Sequence, residues 1–463
     1  MSREQPNLLF VMTDHQRADS LGMTQAGVEV TPNLNRLASE SAVFTRAYNT
    51  CPLCVPTRTA LATGKYPTRT GVICNDWQGL TAGDHKPMHQ YLAEAGYDVA
   101  HVGIHHIRVK PEIRERVPFV LWIDNADYDR HLEQNALRQL HYDCLGAMKK
   151  EITMVRSGVS SQETYSGTVT DVWPGPPEHF KDNVFADEAI TFLRREHSRP
   201  FALFVYLWAP HPPLAVPEPY ASMFDPSKIE LPENVGMPAD GEPPNRRQGM
   251  AGQLAEGVTM DEWRKVWAAH LGLVRLADDA IGRMLTALES GGYADDTLVV
   301  FTVDHGEHLG QHRMYQKMEM YEQAIRVPLV FHLPGTRGKV FDRPVSHLDV
   351  LPTLIDLIGL ECPDDLDGES LVESVVSGKV LRERSVFSMY AGNKTPCHHR
   401  RAAITRRWKY LYDPEDVPEL YDLETDPLEM HNLAADPQHA QTVRELHDEC
   451  RRWHEARGDP IRF

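Results

Sequence analysis

Cysteine is scarce in this sequence: seven residues (51, 54, 74, 144, 362, 397 and 450) among 463, odd in number and irregularly spaced. That pattern argues against a disulfide framework and fits reduced, mostly buried thiols. Long apolar runs are missing as well. No stretch approaches the roughly 20 apolar residues of a bilayer span, and the short run in MSREQPNLLFVMTDHQ is too brief for a signal sequence and lacks a small-residue cleavage site. The expected location is therefore the cytoplasm, with no membrane partner. Positive charge is the third shortage: 48 Lys and Arg stand against 66 Asp and Glu, a formal charge of −18. This balance argues against nucleic acid as the main partner. An anionic substrate would need a local cationic pocket.

What is present is a large apolar fraction, 41%, in a chain long enough for two or three units. The strongest strand candidates are NLLFVMTD (7–14), YDVAHVGI (97–104), FALFVYLW (201–208), TLVVFTVD (297–304) and VPLVFHL (327–333). Between them the residue pattern predicts helices over TPNLNRLASES, with Thr31 as N-cap and Pro32 at the first helical position, over NVFADEAITFLRREH, over 259–290 and over LDVLPTLIDLIG. This alternation predicts an α/β fold with a mainly parallel sheet and helices on both faces. Two strands end in aspartate, Asp14 and Asp304. Ligands gather at the carboxyl ends of such strands, so these acids can face one site despite their separation in sequence. As simple turn caps they would carry no chemistry.

Pro- and Gly-rich stretches mark two insertions, about 115–180 and 215–255, that read as surface loops near the mouth of a site. After about residue 382 the pattern changes to short strands, RSVFSMY, RAAITRRWKYLYD and PELYDL, and a closing helix near 438–455. The expected division is a catalytic unit over 1–381 and a smaller α+β C-terminal subdomain over 382–463.

The stretch CPLCVPTRTALATGKYP (51–67) poses the central question of which cysteine matters. If a helix begins just after Cys54, Pro56 falls in its first turn, where a missing N–H costs little, and Gly64 closes it. Cys54 then sits at a helix N-terminus that favours an anion, with Arg58 one turn on. Cys51 has no such placement. From these residues alone, an inert buried thiol is the competing reading of Cys54.

CVPTRTALATGKYP resembles the signature of the type I sulfatases, Cys-x-Pro-x-Arg followed by a Thr-Gly-basic-Tyr-Pro segment. NLLFVMTDHQRADSLG, TPNLNRLASESAVFTRAY, FTVDHGEHLGQHRMYQKMEMYEQAIRVPLV and WKYLYDPEDVPELYDLETDPLEMHNLA are similar to further segments of that family, in order and over nearly the whole chain. The resemblance places the sequence in the alkaline phosphatase superfamily, near the choline sulfatase and phosphonate monoester hydrolase branch. It implies an alkaline-phosphatase-like α/β fold with a large sheet sandwiched by helices. It also implies that a formylglycine-generating enzyme oxidises Cys54 to Cα-formylglycine, whose hydrate attacks sulfur with one hydroxyl and releases sulfate with the other. An unmodified thiol lacks that second hydroxyl.

By the same resemblance one divalent metal is held by Asp14, His15, Asp304 and His305 together with the modified Cys54. Many relatives carry a second Asp where this chain has His15. Ca and Mn head the expected ions, with Mg, Fe and Zn also in range, although imidazole in the ligand set weakens the case for Ca by shifting preference from oxygen-only cations toward transition metals. Arg58 and Lys317 are expected to hold the anion, Lys65 to support the formylglycine turn, and Asn75 to contact the anion. His211 in APHPPL matches the group that protonates the leaving oxygen, and His106 in GIHHI the one that deprotonates the hydrate. Ile104 replaces the family's usual Lys, leaving adjacent His105 as a substitute cation. Trp77 and Trp208 are either pocket wall or core, and CHHRR (397–401) reads as a solvated loop.

The implied activity is hydrolysis of a small organic sulfate monoester to alcohol and inorganic sulfate. The alternative is a phosphonate monoester hydrolase or phosphodiesterase working with the same site, and a third reading is an idle binding protein never modified at Cys54. A homo-oligomer is compatible with the sequence, which shows no interface.

Overall fold

The unbroken apolar runs become strands buried on both faces, as parallel strands flanked by helices must be. In the computed structural model, which describes residues 5–156 and 159–463, nine strands form one sheet. The first four residues of the expected catalytic unit and two residues of its first insertion lie outside the described residues. The strands are β1 (Asn7–Thr13), β2 (Ala42–Tyr48), β3 (Asp98–Gly103), β4 (Leu121–Ile123), β5 (Phe201–Tyr206), β6 (Thr297–Val303), β7 (Arg326–His332), β8 (Lys339–Phe341) and β9 (Val345–Ser346). Their order is β8-β2-β7-β6-β1-β5-β3-β4, with β9 also on β2. Every pairing from β6 through β4 is parallel, whereas β7 runs against both of its neighbours. The sheet is mixed, with the parallel strands at its centre.

The main helices are α1 (Pro32–Ser39), α2 (Cys54–Thr63), α3 (Lys181–Leu193), α4 (Met260–Ser290), α5 (Val350–Leu357) and α6 (Ala440–Glu455). Thr31 stands at the N-cap of α1 and Pro32 opens the helix as expected, but the Thr31 hydroxyl donates to the Ser20 carbonyl rather than accepting from the first turn. A reciprocal cap of Thr259 and Glu262 starts α4, which packs against α1 and α3. No helix among the described residues is long and apolar enough to cross a membrane.

The first insertion is more ordered than a loop. It holds the helices Asn125–Gln134 and Arg138–Ala147 and a hairpin of Lys149–Arg156 with Val159–Ser166. Beyond residue 382, β10 (Val386–Ala391), β11 (His399–Ile404), β12 (Trp408–Tyr412) and β13 (Glu419–Asp422) make an antiparallel meander against which α6 packs. CHHRR is not a solvated loop there. Arg400 and Arg401 lie on β11, almost fully buried, paired with Glu319 and Asp413 and with Asp459 respectively.

All ten residues of α2 are buried, so its ends must be placed without slack. Gly64 closes it at φ 64°, and a Cβ there would stand 3.0 Å from Leu366 Cδ2 and 3.1 Å from Leu351 Cδ2. Gly64→Ala is therefore expected to cost about 1–2 kcal/mol, read as a lowered midpoint in thermal melts.

Candidate active site

Strand register assembles the site. Thr13 pairs with Val303, so the residues that follow, Asp14 and Asp304, leave the sheet side by side. Tyr206 of β5 pairs with both Met12 and Gly103, and the turns beyond these strand ends carry His211 and His106. β2, antiparallel to β7 as β6 is, ends at the same edge and leads into α2, whose first residue is Cys54.

Asn75 fixes that helix start. Its Oδ1 accepts from the Val55 N–H (3.0 Å), while its Nδ2 donates to Asn393 Oδ1 (2.8 Å) and its own N–H donates to the Asn393 carbonyl (2.6 Å). Asn75 thus caps α2 and also lines the cavity over Cys54. Asn393, which the sequence reading missed, follows β10 in the C-terminal subdomain, and no motif marks it.

The guanidinium of Arg58, expected on the substrate anion, meets both acids of the site. Its Nε donates to Asp304 Oδ2 (2.9 Å) and its Nη2 to Asp14 Oδ2 (3.0 Å), leaving only Nη1 without a partner. Burial and then the Asp304 charge push the Asp14 carboxyl up to about 8. Burial also acts on Asp304, but Arg58, His305 and Lys317 outweigh it and hold that carboxyl well below the usual range. Two buried carboxylates sharing one guanidinium leave room for a further cation.

Ligand atoms of Asp14, Cys54, Asp304 and His305 lie within 4.8 Å of one another. The His305 Nδ1–H donates to the Gly306 carbonyl (3.1 Å), which turns Nε2 toward Cys54 Sγ (3.2 Å) and toward Asp14 and Asp304 (3.6 Å each). Burial drops His305 to about 3, so its imidazole is neutral and its Nε2 lone pair is free to coordinate. Mixed carboxylate and imidazole donors fit a divalent cation, with Cys54 Sγ marking where an oxygen of the oxidised residue would reach it.

His15 falls outside this four-ligand group. It adopts φ 67°, its Nδ1 meets Glu307 Oε2 at 2.7 Å, and its Nε2 faces Lys317 Nζ. The imidazole is thus held between a carboxylate and the lysine, and its ligand atom also lies within 4.8 Å of those of Asp14 and His211, a second group that could hold a metal ion. Glu307 is a second residue that was missed, although the run Asp304-His305-Gly306-Glu307 holds a signal for it. Burial raises its carboxyl to about 8.

Above the metal group Lys317 Nζ stands 3.2 Å from Cys54 Sγ and 3.5 Å from His211 Nε2. Burial and then the charge of Lys317 drive His211 well below its ordinary value, and its ring lies against Trp208 at 3.9 Å, tilted by 34°. His106 is likewise pushed down by burial and Arg58, and meets Trp77 edge-on at 4.7 Å. These residues line a cavity of about 270 Å³ with Tyr165 of the hairpin at its wall. Both tryptophans belong to the pocket, because each is braced by a histidine at a strand end rather than by the core. Burial, then the Asp14 charge, raises the Cys54 thiol far above its ordinary value, so the unmodified side chain is a poor nucleophile. Cys51 is sealed in the core.

Two expected substrate contacts lie elsewhere. Lys65 follows the far end of α2 and pairs with Asp365, because nine helical residues and Gly64 separate it from Cys54. His105 turns from the cavity to pack edge-on against Trp122 at 5.0 Å, and Ile104 is fully buried in the core. Neither supplies a cation to the cavity.

The sequence profile described as Sulfatase matches residues 6–360, and that of the N-sulphoglucosamine sulphohydrolase C-terminal region matches 310–456. The chain belongs to the sulfatase family. This sulfatase is 28% identical over 519 positions to the multifunctional alkaline phosphatase superfamily protein PehA of Trinickia caryophylli, covering 98% of this chain and 96% of that one. It is 29% identical over 452 residues to the choline-sulfatase of Rhizobium meliloti, covering 94% and 84% respectively. The crystal structure of the phosphonate monoester hydrolase of Agrobacterium radiobacter matches its fold at a TM-score of 0.82 and 24% identity, over 98% of this chain and 96% of that one. The fold is alkaline-phosphatase-like, and the sulfatase is a hydrolase.

Two substitutions probe the site. Asp304→Asn is expected to lower bound divalent metal about tenfold or more, measured by elemental analysis of the purified protein. Glu307→Gln, which keeps the shape but removes the titratable carboxyl beside His15, is expected to reduce turnover about tenfold with little change in melting temperature.

Proposed function

We propose that this sulfatase cleaves a small organic sulfate monoester to alcohol and sulfate, with formylglycine made from Cys54 as nucleophile. The single observation that carries the reading is the position of Cys54 Sγ, 3.2 Å from both His305 Nε2 and Lys317 Nζ at the first residue of a buried helix. Oxidised by a formylglycine-generating enzyme and hydrated, that residue supplies one hydroxyl to attack sulfur and a second whose deprotonation releases sulfate. A divalent ion held by Asp14, Asp304 and His305 would act as a Lewis acid on the same oxygens.

The remaining roles fall to the protein's own groups. Lys317 offsets charge on the non-bridging oxygens, and Asn75 keeps the helix start rigid beside them. The Nδ1–H of His211 meets the Pro212 carbonyl, which fixes the neutral Nε2 toward the cavity, where it can take a proton from the Lys317 ammonium 3.5 Å away and pass it to the departing alcohol oxygen. His106, across the cavity, takes the proton from the nucleophile side. A volume of about 270 Å³ walled by Trp77, Trp208 and Tyr165 favours a small ester over a polymer.

A phosphonate monoester or phosphodiester is the second reading, favoured by one observation. With Ile104 in place of a lysine there is no cation at that position, and a phosphonate monoester or phosphodiester carries an extra substituent that needs room rather than another cation. The two readings part on matched aryl sulfate and aryl phosphonate monoesters. A higher kcat/KM on the sulfate is the expected outcome, and the reverse order would replace the first reading with the second.

The nucleophile is tested on protein co-produced with the formylglycine-generating enzyme. The tryptic peptide AYNTCPLCVPTR is expected to carry an aldehyde at Cys54 and an intact thiol at Cys51, and Cys54→Ala to lose about a thousandfold or more in kcat. Two intact thiols in that peptide would remove the proposed nucleophile.

A further inference from the structure

Lys317 lies in no regular element. It occupies the stretch between β6 and β7, and its neighbours Gln316 and Met318 are both non-glycine residues at positive φ, 66° and 82°. Such backbone persists only where surrounding contacts over-determine it. On the N-terminal side the His308 N–H donates to the Gln316 carbonyl (3.0 Å), and Gln316 Nε2 donates to the Ser166 carbonyl (2.7 Å).

On the C-terminal side the holding group is Glu319, whose side chain is 3% exposed. Its Oε2 receives Arg400 Nη1 and lies 3.3 Å from Arg246 Nε. Arg400 belongs to β11 of the C-terminal subdomain, where Asp413 Oδ2 (3.1 Å) and Asn245 Oδ1 (3.2 Å) hold the rest of its fork. Arg246, from the second insertion, also pairs with Glu419. None of these five charged side chains lines the cavity, so the chemistry does not require them directly. Buried ion pairs are weak grounds for stability, because apolar replacements of the same volume often do as well. A planar guanidinium gripping a carboxylate two residues from Lys317 does set direction.

We propose that Arg400, acting through Glu319, is a positioning residue for Lys317, so that the C-terminal subdomain aims the ammonium that meets the substrate anion. With the Glu319 carboxylate captured, the backbone on either side of Lys317 cannot relax to negative φ, and Nζ stays beside Cys54 Sγ and His211 Nε2. The inference rests on the reading of Lys317 as the anion-holding cation.

The test is a double-mutant cycle. Glu319→Gln keeps size and hydrogen bonding but loses charge, and Arg400→Lys keeps charge but loses the fork. Each is made in the wild-type and in the Lys317→Ala background, with thermal melts to establish that the protein is folded. Should Arg400→Lys not fold, Glu319→Gln alone decides. In the wild-type background each substitution is expected to lower kcat/KM about tenfold or more, and to weaken binding of inorganic sulfate, measured by calorimetry, by a similar factor. In the Lys317→Ala background the same substitutions are expected to change either quantity less than about twofold, because the group they aim is gone. Equal losses in both backgrounds, or wild-type kcat/KM in folded Glu319→Gln, would overturn the proposal. Sulfate binding needs no turnover, so a protein inactive on every ester would sink the catalytic reading while the binding cycle still decided the positioning role. A wild-type protein that bound no sulfate would overturn the positioning role as well.

Discussion

Two acids buried side by side at one sheet edge are the constraint on which the rest of this protein depends. Asp14 and Asp304 present oxygens within 4.8 Å of each other, where like charges repel by roughly 3 kcal/mol or more at an effective dielectric near 20. Arg58 answers part of that charge with one contact to each acid. Lys317 answers from the cavity side, and the neutral Nε2 of His305 leaves a place for a divalent ion. Helix α2 has to be buried and immobile for Arg58 to reach both acids, and its first residue is then the cysteine that faces the ligand group.

The histidines follow from the same electrostatics. His15, His106, His211 and His305 are all driven down by burial, with positive neighbours adding to it. A site already holding Arg58 and Lys317 cannot keep four imidazolium ions as well. Neutral rings can ligate, accept a proton or pass one on, and each is fixed by what its other nitrogen or its ring face meets: Glu307 for His15, Gly306 for His305, Trp208 for His211 and Trp77 for His106.

The C-terminal subdomain is more than a cover. Asn393 grips Asn75, which caps α2, and Arg400 grips Glu319 beside Lys317. Helix α2 and the lysine segment therefore take their final orientation from residues more than 70 positions away in sequence. The hairpin of the first insertion adds Tyr165 to the cavity wall.

The sequence by itself determined the central strands, because unbroken apolar runs of seven or so residues admit little else, and the start and stop of α2, because Pro56 and Gly64 are tolerated only near helix ends. It also marked Asp14, Cys54, Asp304 and His305, whose motifs are local. β2 was harder to read from pattern alone, since AVFTRAY places Thr and Arg in mid-strand. What only tertiary structure decided is where side chains of equal chemistry point. Lys317 faces Cys54 and Lys65 faces Asp365; His106 enters the cavity and adjacent His105 leaves it; Arg58 reaches two carboxylates. The physical reason is that direction is set by burial and by charges brought near through strand register and subdomain packing, and neither is a property of a short window of sequence.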